Sequence, residues 1–158
     1  MSKADFACQT RLRVRWAEVD MQKIVFNGHY LTYIDTAIAE YWREIGLPYP
    51  HGYVDRYGQD VYLRKATVEY LGSARYDDVL SVCSRVAKLG RSSMTFSFEI
   101  YREEPEPSQA PLVTAELVYV NADPATMKAA PLPEDMRNRV LRYERISPSV
   151  SPEGPTHA

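Results

Sequence analysis

The chain of 158 residues has the length of one domain, and 45% hydrophobic with 25% charged residues is ordinary for a globular protein. Its formal net charge of −2 comes from 19 basic and 21 acidic residues spread along the chain, so no global positive field attracts nucleic acid or anionic lipid. No apolar run approaches the ~18 residues of a membrane span, and the N-terminus lacks the apolar stretch of a secretion signal. We therefore expect a cytoplasmic protein without nucleic-acid or membrane partners, with Cys8 and Cys83 as reduced thiols.

The stretch TRLRVRW, residues 10–16, alternates apolar residues with arginines. A period of two places Leu12, Val14 and Trp16 on the same face, so the stretch predicts a strand with one buried face. This strand leads directly to Asp20.

A helical pattern begins at Tyr30. Apolar residues recur at spacings of three and four up to Ile45, which predicts an amphipathic helix of about four to five turns. Asn27 is the predicted N-cap, because a short polar side chain can accept hydrogen bonds from the first-turn amides. Gly46 followed by Pro48 is the expected stop.

The rest of the chain predicts mainly strands. Residues 47–60 carry prolines, glycines and tyrosines without a period and predict a loop. Alternating apolar residues then predict four strands joined by a hairpin at Gly90 and by a proline-rich loop at residues 102–111, and a short helix follows at residues 133–143. We expect one domain over residues 1–143, and a disordered or loosely attached Pro/Ser-rich tail over residues 144–158.

One early helix followed by strands indicates an α+β fold, in which an antiparallel sheet covers the helix because neither buries its apolar face alone. The sheet should wrap around the helix.

Several common chemistries lack their residues. The glycines are dispersed, with neither a dinucleotide fingerprint nor a P-loop, and no G-x-S-x-G elbow occurs. His29, His51 and His157 do not have the convergent spacing of zinc ligands. We therefore expect no metal and no cofactor.

Asp20 lies between the predicted strand and the start of the predicted helix. Unpaired amides and the positive end of a helix dipole can polarise a carbonyl, and a nearby acid can attack it or activate water. An Asp at such a junction also commonly ends a strand or forms a turn. These residues alone leave both interpretations open.

The segment VRWAEVDMQKIVFNGHYLTYIDTAIAEYWREIGLP, with ARYDDVLSV as a second match, resembles hotdog-fold acyl-CoA thioesterases of the 4-hydroxybenzoyl-CoA thioesterase family. The resemblance covers roughly residues 9–143. It implies an antiparallel sheet wrapped around one long central helix, and hydrolysis of a thioester with an aromatic or short to medium acyl group.

The resemblance also implies roles for individual residues. Asp20 falls on the catalytic carboxylate, as nucleophile or general base, and Asn27 falls where a backbone amide binds the thioester oxygen. Many relatives carry His at the Asn27 position, so no side-chain acid role is expected there. Substrate contacts are expected from Val25, Phe26, His29 and Tyr30, with Lys88 and Arg91 for the phosphates of CoA. An acyl pocket is expected between the helix and residues 47–60.

A thiolate leaves without needing much protonation, so one carboxylate and an oxyanion site can suffice. The alternatives are a non-catalytic module that binds acyl-CoA or acyl carrier protein, and an acyl carrier protein thioesterase, since fold does not imply function. The resemblance also implies a homodimer or homotetramer, which would cover an otherwise exposed strand edge.

Overall fold

Five long strands form one antiparallel sheet in the computed structural model, which describes residues 1–151. The sheet order is β1-β3-β4-β5-β2, and a short sixth strand pairs in parallel with β3. The strands are β1 (Cys8–Arg13), β2 (Asp60–Tyr70), β3 (Val79–Leu89), β4 (Ser93–Glu104), β5 (Val113–Ala122) and β6 (Ser149–Val150).

The long helix α1 (His29–Glu44) lies against this sheet and contacts β1 and β3. Its apolar face is fully buried at Ile34 and Ala37, and Trp42 packs edge-on against Phe96 of β4. Side chains three and four residues apart share one side of a helix, which is why the spacing in the sequence produces this buried face. The predicted α+β arrangement, with a sheet covering one long helix, is confirmed. No helix within residues 1–151 is long and apolar enough to cross a membrane.

The strand and helix nearest Asp20 have different ends from those predicted. β1 ends at Arg13, and a short 3₁₀ turn follows at Trp16–Glu18. Trp16 was predicted to face the core, but 75% of its surface is exposed, because the period of two stops where the strand does. Helix α1 begins at His29 with Gly28 as its N-cap, so the prediction of Asn27 as N-cap is wrong by one residue.

The predicted loop at residues 47–60 contains a second helix, α2 (His51–Tyr57). Pro50 precedes it, and Gly58 ends it in the left-handed region at φ 66°, where glycine has no steric penalty. Tyr53 anchors this short helix because its hydroxyl donates to Asn121 in the core over 2.8 Å. The hairpin at Gly90, the proline-rich loop and the last helix, α3 (Glu134–Tyr143), are as predicted.

The predicted tail is wrong over its first part. Residues 144–151 are ordered against the sheet, with Pro148 buried and Ser149–Val150 paired to β3, while residues 152–158 lie outside the described range. The anchor is Glu144, whose carboxylate accepts hydrogen bonds from the Tyr41 hydroxyl over 2.6 Å and the Val86 N–H over 2.8 Å. The amino-acid composition of the tail does not predict this contact, because it depends on one residue, Glu144, whose partners lie far away along the chain.

Burial raises the pKa of Glu144, although the hydrogen bonds from Tyr41 and Val86 oppose the shift. The ordinary pKa of a glutamate is 4.5. Because the pKa of Glu144 is higher in the folded protein, its carboxyl group lowers the stability of the fold as pH rises above 4.5. Glu144→Gln keeps an acceptor oxygen without the charge. We expect its melting temperature to equal or exceed that of the wild type, with a difference that grows as pH rises from 4.5.

Glu144→Ala should instead lose about 2–4 kcal/mol, because it leaves two buried donors unpaired. Thermal and urea unfolding between pH 4 and 8 measure both effects. Glu106→Gln, an exposed residue, is the control. A Gln variant that is less stable than the wild type at pH 8 would contradict this account.

Candidate active site

A tight turn surrounds Asp20. Its N–H donates to the carbonyl of Ile24 over 3.0 Å, and its own carbonyl accepts the N–H of Lys23 over 2.9 Å. One carboxylate oxygen, Oδ1, accepts the N–H of Gln22 over 2.8 Å. The turn therefore uses one oxygen of the carboxylate, and the other has no hydrogen-bond partner among residues 1–151.

This turn closes a short antiparallel hairpin that leads into α1. Val19 and Val25 form a bridge, and the N–H of Phe26 donates to the carbonyl of Glu18 over 3.0 Å. Asp20 is two residues along the hairpin from the Glu18–Phe26 pair, which corresponds to about 7 Å because a strand rises about 3.3 Å per residue. The hairpin thus joins the turn that carries Asp20 to the residues that directly precede the helix.

Glu18 fixes the hairpin to α1. Its side chain is 5% exposed, and its carboxylate accepts the backbone N–H of Arg15 at 2.8 Å, the Arg15 guanidinium at 2.9 Å and the Tyr33 hydroxyl at 2.8 Å. Burial by itself raises the pKa of Glu18, but these hydrogen bonds outweigh it and hold the pKa below its ordinary value. The carboxylate is therefore a charged anchor two residues before Asp20.

Two backbone amides at the start of α1 lack an acceptor in the described part of the chain. The N–H groups of Asn27 and Gly28 have no hydrogen-bond partner within residues 1–151, whereas the N–H of His29 donates to the Phe26 carbonyl over 2.9 Å. The carbonyl of Asn27 accepts from the Tyr70 hydroxyl over 3.2 Å, which fixes the direction of this backbone. Both residues are exposed, and unpaired amides at the start of a helix favour binding of a negatively charged oxygen.

Asp20 lines an open groove of about 660 Å³. Its walls are mainly apolar and aromatic, and a volume of this size accepts a drug-sized ligand. Met21 is fully exposed at its rim, and Trp16 and Tyr76 meet edge-to-face with ring centroids 5.1 Å apart. The full lining consists of Trp16, Val19, Asp20, Met21, Lys23, Arg75 and Tyr76.

The predicted substrate contacts divide into buried and exposed side chains. Val25 and Tyr30 are 2% exposed. The Tyr30 hydroxyl accepts the N–H of Ala74 over 3.0 Å. In this conformation both side chains belong to the core beneath the site and are not open to a ligand. Phe26 is exposed, and its ring meets the His29 ring edge-on at 5.9 Å. The His29 ring thus packs against an aromatic neighbour at the start of the helix.

Lys88 and Arg91 lie far from the Asp20 groove of their own chain. The Asp20 side of the sheet is where β1 ends, since Arg13 pairs with Val79 at the start of β3. Lys88 is nine residues further along β3, about 30 Å at the rise of a strand. Arg91 follows in the hairpin and lines a separate pocket beside α3.

A second cavity, of about 180 Å³, lies where the acyl pocket was predicted, between α1 and residues 47–60. The predicted substrate contacts Phe26 and Tyr30 do not line this cavity. Its walls come from Asp35, Ile38, Ala39, Trp42, Tyr49, Val61 and Tyr119.

Sequence reasoning missed most of the groove around Asp20. Arg75 and Tyr76 come from the connection between β2 and β3, far from Asp20 along the chain. The one indication of these residues in the sequence was the stretch ARYDDVLSV, whose resemblance to the family predicts the start of a strand but no role in a site. No group of three or more His, Cys, Asp or Glu side chains within residues 1–151 is arranged to hold a metal ion.

Comparisons with known proteins agree with this geometry. The sequence model of the Thioesterase superfamily matches residues 22–108. A putative esterase of Aquifex aeolicus is 35% identical over 94 residues, covering 60% of this chain and 72% of the relative. The acyl-CoA thioester hydrolase YbgC of Escherichia coli is 28% identical over 125 residues, covering 79% of this chain and 89% of the relative.

Among solved structures, a mutant 4-hydroxybenzoyl CoA thioesterase complexed with 4-hydroxybenzoyl CoA superposes with a TM-score of 0.75. The match covers 84% of this chain and 96% of that chain at 21% sequence identity, so it bears on the fold. The predicted hotdog fold and the predicted class of enzyme, a thioester hydrolase, are confirmed. The chain belongs to the thioesterase superfamily.

Proposed function

We propose that this protein is an acyl-CoA thioesterase that uses Asp20 as nucleophile or general base and the amides at the start of α1 as its oxyanion hole. The observation that carries the proposal is the hairpin of residues 18–26, which joins the Asp20 carboxylate to the N–H groups of Asn27 and Gly28. Within residues 1–151 one oxygen of that carboxylate and both N–H groups have no hydrogen-bond partner. Acyl transfer from a thioester needs both elements.

In the proposed reaction the thioester carbonyl oxygen accepts hydrogen bonds from Asn27 N–H and Gly28 N–H. Negative charge develops on that oxygen during attack, and the positive end of the α1 dipole stabilises it. Asp20 either attacks the carbonyl carbon, forming a mixed anhydride that water hydrolyses, or removes a proton from the attacking water. In both cases CoA leaves as a thiolate.

The groove beside Asp20 supports an aromatic or short to medium acyl group, because apolar and aromatic side chains provide most of its surface. Phe26 and His29 lie at the helix start, where they could contact the substrate, with Val25 and Tyr30 behind them. Lys88 and Arg91 remain candidates for the CoA phosphates if a second subunit brings them to this groove.

We also propose a homodimer or a homotetramer. Strand β2 pairs with β5 on one side, and within residues 1–151 nothing pairs with its other edge. Leu63, Tyr70 and Leu71 are large apolar residues exposed on or next to this strand. A long open edge with apolar side chains favours pairing with a second copy.

Asp20→Asn should lower kcat for acyl-CoA hydrolysis by about 10²–10⁴-fold, because the amide is a poor base and a poor nucleophile. The Asn side chain still offers an oxygen to Gln22 N–H, so the turn and the melting temperature should survive. Thiol release from aromatic, short, medium and long acyl-CoAs measures the effect.

Asp123→Asn is a matched control, since Asp123 also accepts the N–H two residues ahead, that of Ala125, but lies at the other end of the sheet. It should leave kcat unchanged. If the wild type binds acyl-CoA without hydrolysing any, acyl carrier protein thioesters are tested next. Failure with those too would support a binding module instead of an enzyme.

Glu18→Gln should lower kcat about 10- to 100-fold with a smaller effect on KM, because it weakens the anchor that positions Asp20. The lowered pKa of Glu18 means that its stabilising contribution is present above its ordinary value of 4.5 and is lost as pH falls below it. The difference in melting temperature between wild type and variant should therefore shrink below pH 4.5.

Glu40→Gln is the control for Glu18→Gln, because Glu40 also pairs with an arginine three residues away, Arg43, but on an exposed face. Steady-state kinetics and unfolding between pH 3.5 and 7 are needed for both variants. Equal kinetic constants in the two variants would remove Glu18 from the proposed mechanism.

The proposed assembly predicts a mass in solution of two or four times 18.1 kDa. Light scattering coupled to size exclusion measures this mass, and dilution into an activity assay tests whether assembly is required. We expect specific activity to fall at concentrations where the oligomer dissociates. A fully active monomer at micromolar concentration would disprove the assembly.

A further inference from the structure

Two cations, Lys23 and Arg75, line the groove beside Asp20. The side chains of Lys23 and Arg75 make no hydrogen bond or ion pair with any residue in the described range 1–151. Neighbouring arginines at this end of the sheet are all paired: Arg13 with Asp77, Arg15 with Glu18, and Arg102 with Asp78. The two cations that face the groove are therefore the ones left available to a ligand.

Lys23 has an unusual backbone for its residue type. Its φ is 66°, in the left-handed region, and its N–H closes the turn onto the Asp20 carbonyl. Glycine occupies this region without steric cost, whereas a residue with a Cβ is uncommon there. The backbone of this turn therefore does not require a lysine, since glycine adopts the same conformation at lower cost.

Arg75 is held by a well-ordered loop. Its backbone N–H donates to the Asp78 carboxylate over 2.9 Å. The same carboxylate oxygen accepts from Arg102, which also donates to the carbonyl of Ser73 over 2.6 Å. The loop is thus fixed at several points, while the Arg75 guanidinium has no partner in the described range 1–151.

We propose that Lys23 and Arg75 bind an anionic group of the thioester substrate, while the apolar walls of the groove contact its uncharged part. This inference rests on the proposed thioesterase function and adds a determinant of substrate choice. A guanidinium binds phosphate or carboxylate through two parallel hydrogen bonds, and a lysine adds a mobile point charge. The anion is a phosphate of the CoA carrier or a carboxylate on the acyl group.

Lys23→Gly tests the role of the lysine in binding without destabilising the fold. It removes the cation and also the left-handed strain, so its melting temperature should not fall below that of the wild type. Lys23→Gln and Arg75→Gln remove one charge each, and Lys23→Arg restores the charge. Lys128→Gln, in an exposed turn at the opposite end of the sheet, is the matched control.

Each variant is assayed for kcat/KM with acyl-CoA and with the same acyl group on pantetheine, which lacks phosphates. A second pair compares an acyl-CoA that carries a terminal carboxylate with its neutral analogue of equal length. Calorimetry with CoA and with non-hydrolysable acyl-CoA thioethers, neutral and carboxylate-bearing, measures binding directly. Because calorimetry needs no turnover, it tests the cation site even if the proposed catalysis fails.

We expect loss of either cation to raise KM or Kd about three- to tenfold and to leave kcat almost unchanged. Lys23→Arg keeps the positive charge at position 23, so its KM and Kd should stay close to those of the wild type. An effect on CoA esters that disappears with pantetheine esters assigns the anion to the carrier. An effect confined to the carboxylate-bearing acyl group assigns it to the acyl end. Less than a twofold change in every substrate pair and in both calorimetric titrations would overturn the proposal.

Discussion

Burial of one face of α1 against the antiparallel sheet is the constraint on which the rest of the structure depends. Ile34 and Ala37 have no exposed surface, and Tyr41 and Trp42 both meet Phe96 of β4 edge-on. Removing this much apolar and aromatic surface from water is the dominant stabilising contribution in a domain of this size. It also fixes where α1 starts, and hence where its unpaired amides lie.

Two buried glutamates hold α1 at two points along its length. Glu18 accepts from Tyr33 near the first turns, and Glu144 accepts from Tyr41 two turns later. The two carboxyls differ in their pKa because of their partners. The Arg15 guanidinium contacts Glu18 and helps to keep it ionised, whereas the donors that reach the Glu144 carboxylate are neutral and burial prevails. Ionisation of Glu18 therefore stabilises the folded protein, whereas ionisation of Glu144 destabilises it.

The groove beside Asp20 combines exposed apolar side chains with positively charged ones. Trp16 and Met21 are apolar and exposed, and Lys23 and Arg75 are charged and unpaired within the described residues. Exposed apolar groups and unpaired cations both favour a ligand that supplies apolar surface and negative charge together. An acyl thioester of CoA has this composition, which is consistent with membership of the thioesterase superfamily.

Periodicity in the sequence determined the strands, the long helix and the α+β architecture, because a repeat of 3.6 or 2 residues is a local property that survives in any packing arrangement. It also placed Asp20 at a junction between a strand and a helix. The tertiary structure alone decided that Arg75 joins Asp20 in one groove and that Lys88 lies at the far end of β3, since both depend on strand pairing across distant parts of the chain. It alone showed that residues 144–151 are ordered, because a single buried carboxylate, Glu144, overrides a composition that favours disorder.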